Sequence, residues 1–174
     1  TISADASTIG EYSQTLTITS AADSKTAEVT VKMNVVEKPA PTGTFTLHTG
    51  DLIEGDYVIV STNSLKAEVN SERLASLPVT ISNDEIVDPD ATTIWHIAKS
   101  GEYWTLYNAN KAKYAASTGA KNKAALLDDG SDDKALWSAS GTSTYEFVNK
   151  KNTEAAVNAN LRYNSQNAEN SRWA

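Results

Sequence analysis

Gly101-Glu102-Tyr103-Trp104-Thr105-Leu106-Tyr107-Asn108 opens on a turn, runs through large residues and closes on an asparagine. Two other stretches read alike: Gly55-Asp56-Tyr57-Val58-Ile59-Val60-Ser61-Thr62-Asn63 and Ser143-Thr144-Tyr145-Glu146-Phe147-Val148-Asn149. In each, a turn leads into a tyrosine, an apolar strand follows, and an asparagine ends it. The leading tyrosines recur at near-equal intervals. A second series precedes the last two, Ile94-Trp95-His96-Ile97 and Leu136-Trp137-Ser138-Ala139, and Trp173 falls where a third member would stand. The step from each Trp to its Tyr suits a hairpin. Self-similarity at such a period marks supersecondary units that cannot bury their apolar faces alone. The expectation is three sets of short antiparallel strands around a pseudo-threefold axis, closing a barrel with one large aromatic per set at its centre.

Outward from this core the dominant pattern stays period two. Tyr12, Leu16 and Ile18 share one face of a stretch whose other face holds Thr15, Thr17 and Thr19. Val29, Val31, Met33 and Val35 alternate with Thr30, Lys32 and Asn34. Both read as half-buried antiparallel strands, joined by turn chemistry in Ser20-Ala21-Ala22-Asp23-Ser24-Lys25. Two strands alone are marginal in water, so this hairpin calls for neighbours. Glu37-Lys38-Pro39-Ala40-Pro41-Thr42-Gly43 then halts any ladder and places a boundary between 1–38 and 44–174, with a surface loop inside one domain as the alternative. Residues 64–77 fit a strand through Leu65, Ala67 and Val69 better than a helix. The fold class is all-β: a partial sandwich or hairpin followed by a barrel. The chain starts at Thr1 without a basic, apolar leader, and so reads as a piece of a longer protein or a mature form.

Composition narrows the function. The 174 residues carry 15 Lys+Arg against 22 Asp+Glu, a net charge of −7, which argues against general nucleic-acid binding, where affinity comes from neutralised phosphates. There is no Cys and only His48 and His96; this excludes disulfides and thiolate chemistry and disfavours a multi-histidine metal site. No stretch approaches the roughly 20 apolar residues of a membrane-spanning helix. Abundant Thr, Ser, Asn, Asp and Ala suit a secreted or cell-surface location.

The run from Trp95 through Tyr103, Asn108 and Lys113-Tyr114-Ala115 to Leu136-Trp137 resembles one unit of a ricin-B-like β-trefoil. The resemblance extends over about 44–174. It implies a carbohydrate-recognition module and departs from the family where a Gln-x-Trp ending is common: the positions two before the tryptophans hold Thr93, Ala135 and Ser171. The third unit is short between Tyr163 and Trp173. Residues 1–38 are similar to the closing strands of immunoglobulin-like modules in surface proteins of Bacteroidetes-type bacteria. That likeness implies the C-terminal region of a secreted multidomain protein with further domains upstream.

Sugars offer apolar C–H faces to rings and hydroxyls to paired donors and acceptors. Trp104, Tyr107, Asn108, Asn110 and Tyr114 form the best such cluster, since 103–114 can fold as one hairpin. Along a strand, Trp104 and Leu106 face away from Tyr103, Thr105 and Tyr107, and one of the two sets faces outward. A weaker set is Asn149, Asn160, Tyr163 and Asn164. Asp128-Asp129-Gly130-Ser131-Asp132-Asp133 lacks the spacing of a calcium loop and reads as a solvated acidic turn, as do 84–90. Lys111, Lys113, Lys121 and Lys123 read as guards of an exposed edge. No nucleophile, metalloprotease or phosphate-loop motif is present, so no catalytic residue, metal ligand or cofactor is expected. The reading is a non-catalytic recognition module, most plausibly for a glycan. The alternatives are a spacer serving an upstream catalytic domain and a glycoside hydrolase with a carboxylate pair the motifs do not reveal.

Overall fold

The computed structural model describes residues 10–35, 43–164 and 172–174. The chain divides into two compact units, Thr1–Pro39 and Ala40–Ala174. Most of the expected boundary segment, 37–42, lies outside the described residues, as do residues 1–9.

The first unit is a single ribbon. Strands β1 (Gly10–Thr19) and β2 (Thr26–Val35) pair antiparallel without a break from Gly10↔Val35 to Thr19↔Thr26. The register sets Tyr12 opposite Met33, Leu16 opposite Val29 and Ile18 opposite Ala27, so the apolar residues of both strands share one face. The turn works as its composition requires: Ser20 and Asp23 side chains accept from Ala22 N and Lys25 N, and Ser24 takes a positive φ.

The second unit is almost entirely β. Its strands are β3 (Thr44–Thr46), β4 (Gly55–Val58), β5 (Ser64–Asn70), β6 (Arg73–Leu77), β7 (Glu85–Val87), β8 (Ile94–Ser100), β9 (Tyr103–Asn108), β10 (Lys113–Ser117), β11 (Ala124–Leu127), β12 (Trp137–Ser140), β13 (Glu146–Asn149), β14 (Tyr163–Asn164) and β15 (Arg172–Trp173). A five-residue helix, α1 (Lys150–Glu154), follows β13. The sheet path runs β4–β8–β9–β12–β13, every pair antiparallel, with β10 and β11 branching from β9. A four-stranded sheet runs β14–β15–β6–β5, and β3 pairs with β7. Residues 64–77 are therefore a hairpin; Ser71 and Glu72 both take positive φ at its tip, as a type I′ turn requires.

Three repeats are visible. The first is strand β4, hairpin β5–β6 and strand β8. The second is strand β9, hairpin β10–β11 and strand β12. The third has strand β13 and the β14–β15 hairpin. The path from β4 to β13 does not close on itself among the described residues, so the closed barrel of the sequence reading is an open sheet path here. One buried cluster fills the interior: Leu65, Leu74, Trp95, Ile97, Leu106, Trp137, Phe147 and Trp173, with Trp104 at its edge.

The register corrects the sequence alignment by one residue. Ile97 pairs with Leu106 and Lys99 with Trp104; Ala139 pairs with Phe147. Leu106 and Phe147 are thus equivalent, and so are Trp104 and Tyr145. Trp104, not Tyr103, is the counterpart of Tyr145, because the inward face of β9 carries the even-numbered residues. Trp173 is a second correction. Trp95 and Trp137 each follow a short 3₁₀ turn and enter the strand that ends a repeat. Trp173 instead sits in a hairpin strand, opposite Tyr163 and Leu74. It is buried in the same core but at a different place in the repeat.

Candidate functional site

The inward face shows what the repeated residues do. Trp95 is fully buried and donates Nε1–H to the Leu65 carbonyl at 2.9 Å. Trp137 does the same to Ala115 at 3.0 Å. Before each Trp an aspartate caps the turn: Asp90 accepts from Thr92 N and Asp132 from Lys134 N. Thr92's hydroxyl and N–H both hold the Asp90 carboxyl below its ordinary range.

Asn108 and Asn149 clamp these turns to the next repeat. Asn108 Nδ2 donates to the Ala91 and Ile94 carbonyls at 3.0 and 2.8 Å, and Oδ1 accepts from Lys111 N. Asn149 Nδ2 donates to the Lys134 and Leu136 carbonyls, and its Oδ1 accepts from Asn152 N. Both are 0% exposed. A side chain with two donors and an acceptor all engaged is a structural clasp. Asn108 and the buried Trp104 therefore leave the surface set that the sequence suggested; β9's pleat turns both inward.

The outward face holds a different arrangement. Residues opposite one another in an antiparallel ladder project to the same side. Asp56 pairs with His96, His96 with Tyr107, Tyr107 with Tyr114, and Tyr114 with Leu127. These five residues, from five strands, form one row across the sheet. Asp56 Oδ1 and His96 Nδ1 are 2.8 Å apart. The Tyr107 and Tyr114 rings lie 4.8 Å apart, tilted by 47°. Asp56 and His96 are exposed and both tyrosines are half-buried.

The acidic loop after β11 completes this end. Lys113 forms an ion pair with Asp128. Asp129 accepts from the hydroxyl and the N–H of Ser131, which hold its carboxyl below the ordinary range. Gly130 then lies against Tyr114 so closely that a Cβ would stand 2.6 Å from the ring. The loop is a backbone rest for the ring, and a larger residue at 130 would have to displace the ring. Asn110, on the β9–β10 turn, is exposed.

A cavity of about 320 Å³ opens elsewhere in the unit, lined by Trp104, Tyr145, Lys99, Asp51, Ser140 and Thr142 among others. The Lys99 ammonium sits 4.1 Å over the Trp104 ring, and Tyr145 OH donates to Gly50 O at 2.7 Å. Desolvation first, then Tyr57 and Asp51, raise the Tyr145 hydroxyl above its ordinary pKa. The weaker set disperses: Asn149 is a clasp, Asn160 bonds Glu146, Tyr163 packs on Trp173 at 5.4 Å, and Asn164 is exposed. Among the described residues no three His, Asp or Glu side chains group as a metal site, and no helix is long and apolar enough to cross a membrane.

Of the five residues singled out from sequence, the structure joins Tyr107 and Tyr114, leaves Asn110 nearby on the turn, and buries Trp104 and Asn108. It adds Asp56, His96 and Gly130. Their only signal in sequence was alternation that puts Asp56 and His96 on the outward faces of their strands.

No protein-family model and no curated protein sequence matches the chain. Among solved structures, the chain is similar to a GlcNAcα1-4Gal-releasing endo-β-galactosidase from Clostridium perfringens, with 14% identity and a TM-score of 0.47. The match covers 70% of this chain and 28% of that one.

Proposed function

We propose that residues 44–174 form a non-catalytic carbohydrate-recognition module on a β-trefoil plan, with the Asp56–His96–Tyr107–Tyr114 row as its binding surface. The observation that carries this reading is the paired tyrosines flanked by an exposed acid–imidazole pair. A tyrosine presents an apolar ring and a polar tip; two tilted rings side by side offer a pyranose its apolar face a platform, while Asp56 and His96 supply an acceptor and a donor for hydroxyls. Such shallow sites use a few placed polar groups to fix orientation.

Along this row, binding is favoured over glycoside hydrolysis by the spread of the two acids at its ends. Asp56 on β4 and Asp128 beyond β11 are separated by four strand steps of about 4.8 Å each, roughly 19 Å along the sheet. Hydrolytic pairs work at about 5–10 Å across one bond. Both acids are also engaged, with His96 and Lys113.

The exposed apolar stripe on the ribbon, where Ile18 is 60% and Val29 48% exposed, supports a place for β1–β2 at the edge of an immunoglobulin-like sandwich. The wider context we propose is a secreted or surface-attached bacterial multidomain protein whose recognition module is this domain.

The test is a glycan array with the intact chain, followed by titration of the best-retained sugar against Tyr107→Ala and Tyr114→Ala. Retention should fall at least tenfold in both with the melting temperature nearly unchanged. Retention that survives both substitutions, or no retained glycan on a broad array, would leave the spacer role as the better account.

A further inference from the structure

The cavity of about 320 Å³ beside Trp104 and Tyr145 draws its walls from three places: the β8–β9 hairpin, the turn between β12 and β13, and the loop before β4. These walls are tied to one another. Gly50 N donates to the Thr142 carbonyl at 2.6 Å, and Tyr145 OH donates to the Gly50 carbonyl at 2.7 Å. The Glu54 carboxylate accepts from Lys99 N at 2.8 Å and fixes the same loop to β8. A glycine keeps the space open. Lys99 and Gly141 each stand four residues past the Trp of their repeat. The Lys99 ammonium covers the Trp104 ring at 4.1 Å. No side chain can do the same beside Tyr145, because Gly141 has a φ of +114° and a Cβ there would stand 2.0 Å from the Thr144 carbonyl oxygen.

The lining offers a definite set of groups. The Tyr145 hydroxyl has committed its proton to Gly50, so its oxygen is left to accept. Among the described residues the Lys99 ammonium has no carboxylate partner, and the Asp51 carboxylate and the Ser140 and Thr142 hydroxyls have no hydrogen-bond partner. A ligand that answers all of them carries one carboxylate for the ammonium and several hydroxyls for the rest. A neutral sugar would leave Lys99 without a counter-charge. A bare carboxylate would set an anion near Asp51 with no hydroxyl to offer it. Pockets for small ligands span roughly 300–1,000 Å³, so this one suits a single sugar ring.

We propose that this cavity is a second binding site, separate from the tyrosine row, and that it takes one hexuronic acid ring at the end of a glycan chain. Lys99 anchors the ring's carboxylate through a charge-assisted hydrogen bond. Asp51 accepts from its hydroxyls, Ser140 and Thr142 bond those that remain, and the Trp104 indole holds the ammonium in place from behind.

The probe is methyl β-glucuronide, titrated into the intact chain and followed by NMR, with methyl β-glucoside and acetate as comparators. Saturable shifts of the Trp104 indole proton and of the Gly141 and Thr142 amides are expected, with a dissociation constant of about 1 mM. The glucoside, which has the same ring without the charge, and acetate, which has the charge without the ring, should each bind about tenfold more weakly. Lys99→Met keeps an apolar stem over the indole and should weaken the glucuronide about tenfold, with the melting temperature nearly unchanged. Asp51→Asn should weaken it several-fold. Equal affinity for glucuronide and glucoside, or for glucuronide and acetate, would overturn the proposal. So would unchanged binding in Lys99→Met, tighter binding in Asp51→Asn, or no shift at about 10 mM glucuronide. Shifts confined to Tyr107 and Tyr114 would place the sugar on the outward row, sparing that reading and overturning this one.

Discussion

Trp137→Ala is the substitution on which the repeat geometry bears most directly. The ring is 2% exposed and sits in the common core, and its indole N–H holds the Ala115 carbonyl. Truncating a buried Trp to Ala costs about 3–5 kcal/mol through lost transfer energy and the cavity left behind. Losing the indole's hydrogen bond to the Ala115 carbonyl accounts for roughly 1 kcal/mol of that or adds to it. Against a domain stability of about 5–15 kcal/mol, this is a large share. At roughly 3–5 °C per kcal/mol for a domain of this size, the melting temperature should fall by about 10–20 °C. The assay is urea denaturation followed by circular dichroism, with the slope checked for constancy so that the midpoint change reads as stability. Trp137→Phe separates the two contributions: it keeps most of the apolar ring, removes the indole's bond to the Ala115 carbonyl, and should cost about 1–3 kcal/mol. Trp95→Ala, in the equivalent place, should match Trp137→Ala within about 1 kcal/mol. A loss below about 1 kcal/mol for Trp137→Ala, or a gap above about 2 kcal/mol between the two tryptophans, would refute their equivalence as core anchors.

Asn108→Leu should destabilise the domain by about 2–4 kcal/mol, measured by the same denaturation, because two carbonyls and the Lys111 N–H lose their partners inside. Gly130→Ala should leave the fold intact but push the Tyr114 ring aside, weakening glycan retention several-fold; unchanged retention would remove Tyr114 from the platform. Asp90→Ala should cost about 1 kcal/mol by removing a cap. Since the folded state lowers the Asp90 pKa, its ionised form stabilises the fold above the unfolded value near 3.9, and that contribution is lost as pH falls through the folded value. The acid limb of a stability–pH curve should therefore be flatter below about pH 4 in Asp90→Ala than in the parent chain.

Much of the architecture was legible in the primary structure. Alternation along 11–19, 28–35 and 103–108 marked strands because a pleated chain shows successive residues to opposite sides. The recurring aromatic–apolar–Asn pattern marked repeats. What alternation lacks is a sign: it separates Trp104 from Tyr103 and Tyr107 but does not say which set faces the core. Asn108 and Asn149 illustrate the cost. An asparagine beside aromatic residues suits a sugar site and a buried clasp equally well, and the choice depends on carbonyls of turns 91–94 and 134–136, which the fold brings in from other strands. Its recurrence in two repeats was the available clue, since a residue needed at equivalent places is more simply a structural part.

The row of Asp56, His96, Tyr107 and Tyr114 belongs wholly to the tertiary structure. Each residue comes from a different strand, and only hydrogen-bonded register aligns them. Trp173 was misplaced for the same reason: spacing along the chain counts residues, whereas position in a repeat depends on which strand a residue enters. The linear order of side chains thus determined that this chain makes paired strands with one wet and one dry face, because that is a local property of the backbone. Which rings meet and which amides are sealed inside were decided by pairing between distant segments, a non-local competition for the same interior volume.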